Sequence, residues 1–273
     1  MAIVSKSNAS MGFLGPEGSW THQAALALQG ECRALVAFSA EELFSAYAQR
    51  HVTKICIPYH SSLAGLTPYF DQTMALAQWW IEFDYRRPIE HSLVALQSVE
   101  LDRVERVLGH PIALAEVAPW LAQHLGHARL EPVASGGVAL ESLRRIHQKG
   151  CVAVAPAPSS RLSGLALLLP SIPTPGPNVT SWWVLGDLPA TNAPPSNTFM
   201  WWRVRLDQHA FVSMEVQLVA RGCTLLEVFA RFEGKQSANC SGLIKVPSVE
   251  TGTVANLLKS HRLEFDLVGA SPQ

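Results

Sequence analysis

Charge is scarce in this chain. Charged residues make up 16% of its 273 residues, and the formal net charge is −1. A partner such as nucleic acid or an anionic membrane surface needs a strong basic field, and this composition does not supply one. The paired arginines Arg86-Arg87 and Arg144-Arg145 are short and isolated, as expected of solvated faces. No apolar run approaches the roughly 18 to 20 residues that a spanning helix needs. The first residues, Met-Ala-Ile-Val-Ser-Lys-Ser-Asn, lack a basic segment followed by an apolar core. A secretory signal is therefore not expected, and a cytoplasmic location is.

Paired cysteines are missing too. Cys32, Cys56, Cys151, Cys223 and Cys240 form no CxxC, their number is odd, and most sit among apolar neighbours. That pattern fits buried free thiols in a reducing compartment and supports neither a zinc site nor a disulfide framework. With no ligand cluster and no phosphate loop, no metal and no organic cofactor are expected.

What is present is an alternation of strands and helices. Met11 to Leu14 reads as a buried strand that ends in the turn Gly15-Pro16-Glu17-Gly18. A helix follows over Thr21 to Leu28, with Ser19 or Thr21 as its N-cap. Further helices are predicted over 40–49, 112–124 and 137–147, and 67–80 reads as a connection or helix. Strands are predicted over 54–58, 91–97, 106–109, 129–133, 151–155, 165–169 and 182–185. Such alternation implies mostly parallel sheets covered by helices, with ligands beyond the carboxyl ends of the strands. Three prolines within Asp187 to Ser196 mark a domain boundary. Beyond it the periodicity gives βαββαβ, the ferredoxin-like order, in fewer than eighty residues.

Four segments carry a resemblance. Phe13-Leu-Gly-Pro-Glu-Gly-Ser-Trp-Thr-His-Gln-Ala-Ala25 resembles the FLGPEGT-type opening of prephenate dehydratases. Pro58-Tyr-His-Ser-Ser-Leu-Ala-Gly65 falls where that family has a PIENSTEG-type loop. Gly109-His-Pro-Ile-Ala-Leu-Ala-Glu116 resembles its SHPQALAQ segment, and Asn178-Val-Thr-Ser-Trp-Trp-Val-Leu-Gly186 its NxTRFLVLG segment. They occur in family order over residues 10–187. Arg221 to Arg231 similarly falls where the family's ACT domain has a GINLTKIESR-type stretch, with Phe229 and Ala230 in place of Glu-Ser, and His209 stands where a helix-opening Gly would be. The resemblance implies a two-lobed, periplasmic-binding-protein-like α/β catalytic domain over 10–187. It also implies a degenerate ACT-like domain over 197–270 that serves dimerisation more than phenylalanine sensing.

The family's reaction removes carbon dioxide and water from prephenate to give phenylpyruvate. Here Thr180 keeps the catalytic threonine, and Ser62 and Gly65 keep the loop serine and glycine. Ser181, however, replaces an arginine, Trp182 a phenylalanine, and His60 and Ser61 a Glu-Asn pair. Loss of a bidentate carboxylate clamp argues against ordinary dehydration. The Ser-Trp pair resembles the non-aromatising prephenate decarboxylases, which keep the ring hydroxyl and protonate a ring carbon. The expected catalytic residues are then Thr180, His60 and Ser62, with His60 delivering the proton. Gly15, Glu17, Gly18, Ser19, Ser61, Gly65, His110, Ser181 and Trp182 are expected to contact substrate. His110 either fixes a turn before a helix or reaches the substrate; Glu17 either faces the cleft or satisfies a helix dipole. Ordinary dehydration and a non-catalytic binding role remain the alternatives.

Overall fold

The structure is a computed structural model and describes residues 9–30, 32–146, 149–161, 163–187, 198–206, 208–232, 240–260 and 264–272. Residues 1–8 and most of the proline-rich linker lie outside the described residues. The chain divides into two compact units: residues 1–73 with 85–183, and residues 74–84 with 184–273.

The first unit begins with β1 (Ser10–Leu14), α1 (Trp20–Leu28), β2 (Ala34–Phe38), α2 (Ala40–Ala48), β3 (Lys54–Ser61), β4 (Gly65–Leu66) and α3 (Pro68–Ala75). Next come β5 (Trp80–Pro88), β6 (His91–Ala95), β7 (Arg106–Gly109), α4 (Pro111–Glu116), α5 (Ala118–Leu125) and β8 (Arg129–Pro132). The series ends with α6 (Gly136–Ile146), β9 (Cys151–Pro156), α7 (Ala157–Arg161), β10 (Ala166–Leu169) and β11 (Val179–Gly186). In one lobe β2, β1 and β3 pair in parallel, with β11 beside β3. In the other lobe the order is β10-β6-β9-β7-β8. There β7 lies parallel to β8 and β9, while β6 runs antiparallel to β9 and β10.

The chain passes between these lobes twice, after β5 and before β11, and the passages bond each other through Ile89 N–H to the Asn178 carbonyl at 2.9 Å. Two apolar clusters flank the second sheet. Leu93, Val107, Leu114, Leu121 and Val154 belong to one, and Val94, Leu108, Leu140 and Ala153 to the other. Alternate residues of each strand thus serve opposite faces.

Several expectations need correction. A single helix over 112–124 is in fact two, α4 and α5, broken at Val117 where Pro119 opens the second. Proline has no N–H to continue a helix but suits its first turn. The strands β2 and β5 were not foreseen; the span 67–80 read as a connection or helix holds α3, and β5 starts at its last residue. The second sheet is mixed rather than mostly parallel, because β6 and β10 return antiparallel.

The second unit contains β12 (Thr198–Leu206), α8 (Gln208–Ala220), β13 (Glu227–Phe232), β14 (Cys240–Pro247), α9 (Thr251–Ser260) and β15 (Glu264–Pro272). This is the expected βαββαβ order. β14 and β15 both run antiparallel to β12, and β15 also meets β5 in parallel at Gly269 and Ile81. Met200, Trp202, Phe211, Met214, Leu218 and Leu258 form its core. Phe229, one of the departures noted above, stacks at 6.3 Å on the buried Trp201. The Lys245 ammonium, 6% exposed, is held by Asp84 and Glu227 and lies over the rings of Phe199 and Trp201. A buried charge survives only with such partners.

The two lobes of the first unit approach closely around Gly137. A Cβ built there would lie 2.2 Å from Pro16 Cγ, so the start of α6 packs directly on the turn after β1. Gly137→Ala should lower unfolding stability by about 1–3 kcal/mol, the usual cost of overpacking, as read by urea denaturation. Gly252→Ala, in α9 where a Cβ would have nothing within 4 Å, is the control expected to hold stability or raise it by up to about 1 kcal/mol.

Candidate active site

A cavity of about 480 Å³ opens in the first unit. Four helix starts reach it. Ser19, the N-cap of α1, accepts from His22 N–H, and Ser39 closes a capping box with Glu42 at the start of α2. His110 caps α4 through Nδ1, which accepts from Ile112 N–H at 3.3 Å. Ser135 Oγ accepts from Val138 N–H at the start of α6. Each start brings the positive end of a helix dipole to the cavity wall, with one N–H already accepted by its capping side chain. Leu14, Phe38, Ile89, Ile112, Val138 and Trp182 supply apolar wall, and among the described residues no Lys or Arg side chain lines the space.

At its base lies a buried carboxylate. Glu116, the last residue of α4 and 2% exposed, accepts from Ser61 Oγ at 2.6 Å through Oε1. Its Oε2 accepts from His91 Nε2 at 2.6 Å and from Asn178 Nδ2 at 3.0 Å. Burial pushes this carboxyl up, but the bond and charge of His91, with the bonds from Ser61 and Asn178, outweigh it. Glu116 is held below the ordinary value of 4.5 and is ionised at neutral pH. His110 is pushed down by burial, with Glu116 raising it and His91 lowering it, so it is neutral at pH 7.

The expected site residues divide in two. Gly15, Ser19, Ser61, His110, Thr180 and Trp182 line the cavity. Thr180 and Trp182 project from the same face of β11, and the Trp182 indole N–H donates to Thr21 Oγ1 at 3.2 Å. His110 does both things once set as alternatives: it caps α4 and faces the cavity.

Glu17, Gly18, His60, Ser62, Gly65 and Ser181 are not among the lining residues. The segment read as a loop is strand through Ser61, so His60 and Ser62 fall on either side of the lining residue. Ser62 instead joins the end of β3 to the start of β11. Its Oγ donates to the Pro177 carbonyl at 2.8 Å and accepts from Val179 N–H at 2.9 Å. Ser181 is buried on the face of β11 away from Thr180, so a guanidinium at 181 would not have pointed along the threonine's direction. Glu17 is exposed. Gly18 takes φ +82°, which a turn glycine permits, and its N–H donates to His22 Nδ1. Gly65 has φ +78° where β3 folds back onto β4.

The sequence reading missed His91, Asn178 as a site residue, and Glu116. A signal existed for the last: Glu116 stands where the quoted family segment ends in Gln.

A profile of the family described as prephenate dehydratase matches residues 11–190. The chain belongs to the prephenate dehydratase family. Among curated relatives, a bifunctional N-acyl-homoserine lactone acylase/prephenate dehydratase of Komagataeibacter europaeus is 31% identical over 142 residues, 51% of this chain and 49% of that protein. The prephenate dehydratase of Mycobacteroides abscessus is 28% identical over 141 residues, 48% of this chain and 46% of the relative. The chain thus spans about half the length of these curated relatives. A solved prephenate dehydratase from Arthrobacter aurescens, in complex with L-Phe, superposes with a TM-score of 0.75 at 21% identity, covering 97% of this chain and 90% of that one. It supports the two-lobed α/β fold. No helix among the described residues is long and apolar enough to cross a membrane, and no group of three or more His, Cys, Asp or Glu among them could hold a metal ion.

Because the folded state holds Glu116 below 4.5, its ionised form contributes stability above that pH. The contribution is lost as pH falls through the depressed folded value. Glu116→Gln should therefore flatten the acid limb of stability against pH, with wild type and variant converging once pH has fallen past the depressed folded value, as measured by urea unfolding at successive pH values.

Proposed function

We propose that this protein is a lyase acting on prephenate in the cavity between the lobes of the first unit, and that it removes carbon dioxide while keeping the ring hydroxyl. The product is a hydroxycyclohexadienyl pyruvate for specialised metabolism. The observation that carries the reading is the cavity's composition: apolar walls, helix starts, and, among the described residues, no lining Lys or Arg side chain. Backbone N–H groups and dipoles can hold an anionic side chain. A ring carboxylate left against Leu14, Phe38, Ile112 or Trp182 has no guanidinium to hold its charge in place, which favours moving that charge into the ring.

Decarboxylation and dehydration each consume one proton, and they differ in where it goes. Delivered to the hydroxyl, it releases water and gives phenylpyruvate. Delivered to a ring carbon, it leaves the alcohol and a diene. Dehydration is the second reading, favoured by Thr180, which lines the cavity where the family's catalytic threonine stands. Acylase chemistry, named for the Komagataeibacter relative, finds less support: among the described residues no hydroxyl is hydrogen-bonded to the imidazole of His91 or His110.

In this reading residues 10–187 form the catalytic part, and the degenerate ACT-like part over 197–270 joins two copies. Val212, Val216 and Val219, 50%, 63% and 59% exposed, form a stripe along α8 suited to a second copy. Val216→Glu should convert a dimer to a monomer on size-exclusion chromatography with light scattering; a wild-type monomer would remove this element.

The activity test is direct. With prephenate, the ultraviolet spectrum and mass should show a product that has lost only carbon dioxide and retains a diene. Phenylpyruvate would establish the second reading, and binding without turnover above the spontaneous rate would mean a non-catalytic role. Thr180→Val should lower kcat about a hundredfold, the order of loss expected when a group that orients the substrate is removed.

A further inference from the structure

We propose that His91, oriented by Glu116, is the residue that delivers the proton in this cavity, and that it does so from Nδ1. The inference rests on the lyase reading above and assigns its proton donor. His91 opens β6, lines the cavity and is 5% exposed. Its Nε2 lies 2.6 Å from Glu116 Oε2. An ionised carboxylate can only accept, so Nε2 keeps its hydrogen in either protonation state. Nδ1 is then the atom that gains or loses a proton, and it is buried with no hydrogen-bond partner among the described residues.

Two departures from the quoted family segments meet at this point. Glu116 stands in place of Gln, and Ser61, in place of Asn, donates to the other carboxylate oxygen at 2.6 Å. An amide at 116 could offer either its oxygen or its NH2 to the imidazole and would not fix the tautomer. The carboxylate does fix it, and it also stabilises an imidazolium beside it. The remaining cavity histidine is a weaker candidate. His110 accepts a backbone N–H at Nδ1 and is held neutral, which suits donating a hydrogen bond to substrate rather than a proton.

The step balances. The bond between the quaternary ring carbon and its carboxylate carbon breaks, and carbon dioxide leaves. The electron pair enters the ring and shifts the adjacent double bond, and the carbon next to the carbinol forms a bond to the Nδ1 proton. The imidazolium becomes a neutral imidazole still bonded through Nε2–H to Glu116, and solvent restores the proton. Prephenate dianion and one proton give carbon dioxide and a monoanion.

Two measurements on the full chain test this. In histidine-¹⁵N-labelled protein, NMR should show His91 with its neutral-state hydrogen on Nε2, and Glu116→Gln should give mixed tautomers. Neutral His91 protonated at Nδ1 would overturn the inference whatever the substrate. In D2O, turnover of prephenate should place one deuterium on the carbon beside the carbinol. His91→Gln and His91→Asn should each cut kcat about a hundredfold with KM within about threefold. Glu116→Gln should cut it about tenfold and shift the pH–rate profile, over which Glu116, His91, His110 and Tyr69 are the cavity's titratable groups. A folded His91 variant that keeps wild-type kcat and deuterium placement sinks the inference and leaves the lyase reading intact. A wild type inert toward prephenate sinks the lyase reading, and the tautomer at His91 then decides the pair by itself.

Discussion

One buried carboxylate holds the first unit's two lobes in register. Glu116 belongs to α4 and His91 to β6, both in the second lobe. Ser61 ends β3 in the first lobe, and Asn178 leads into β11. Three donors converging on two oxygens repay the desolvation of the charge, and removing any one leaves the others facing an under-bonded ion. The same group fixes where the chain crosses between lobes, since Asn178 also bonds Ile89 through its backbone carbonyl. The cavity is therefore defined from its base.

Around that base the cavity gains positive potential without basic side chains. The starts of α1, α2, α4 and α6 line a space that no Lys or Arg among the described residues lines. Backbone donors of this kind are fixed in place by the helices that carry them and need no reorganisation when charge shifts. They also leave the walls free to be apolar.

The sequence made much of this legible. All four family-like segments contribute lining residues: Gly15 and Ser19, Ser61, His110 and Glu116, Thr180 and Trp182. The ferredoxin-like order of the last strands and helices was readable because its apolar spacing switches cleanly between periods of two and 3.6. Orientation was harder. His60, Ser62 and Ser181 sit beside lining residues in sequence, yet strand geometry turns neighbours to opposite faces. The strand β5 was overlooked although Ile81, Phe83 and Tyr85 alternate with Glu82, Asp84 and Arg86, the period-two pattern of a half-buried strand. His91 and Glu116 lie 25 residues apart on different elements, and no local periodicity pairs them.

Of the chain's eight tryptophans, Trp20 and Trp182 line the cavity. Trp20 lies beneath the Arg87 guanidinium with its indole N–H bonded to the Glu90 carbonyl, while Trp182 is buried and tied to Thr21. The two rings thus differ in polarity and solvent access while facing one space. The cleft carries a built-in optical gauge: whatever settles there changes the surroundings of two unlike indoles at once, and their emission distinguishes a filled interior from a merely narrowed entrance.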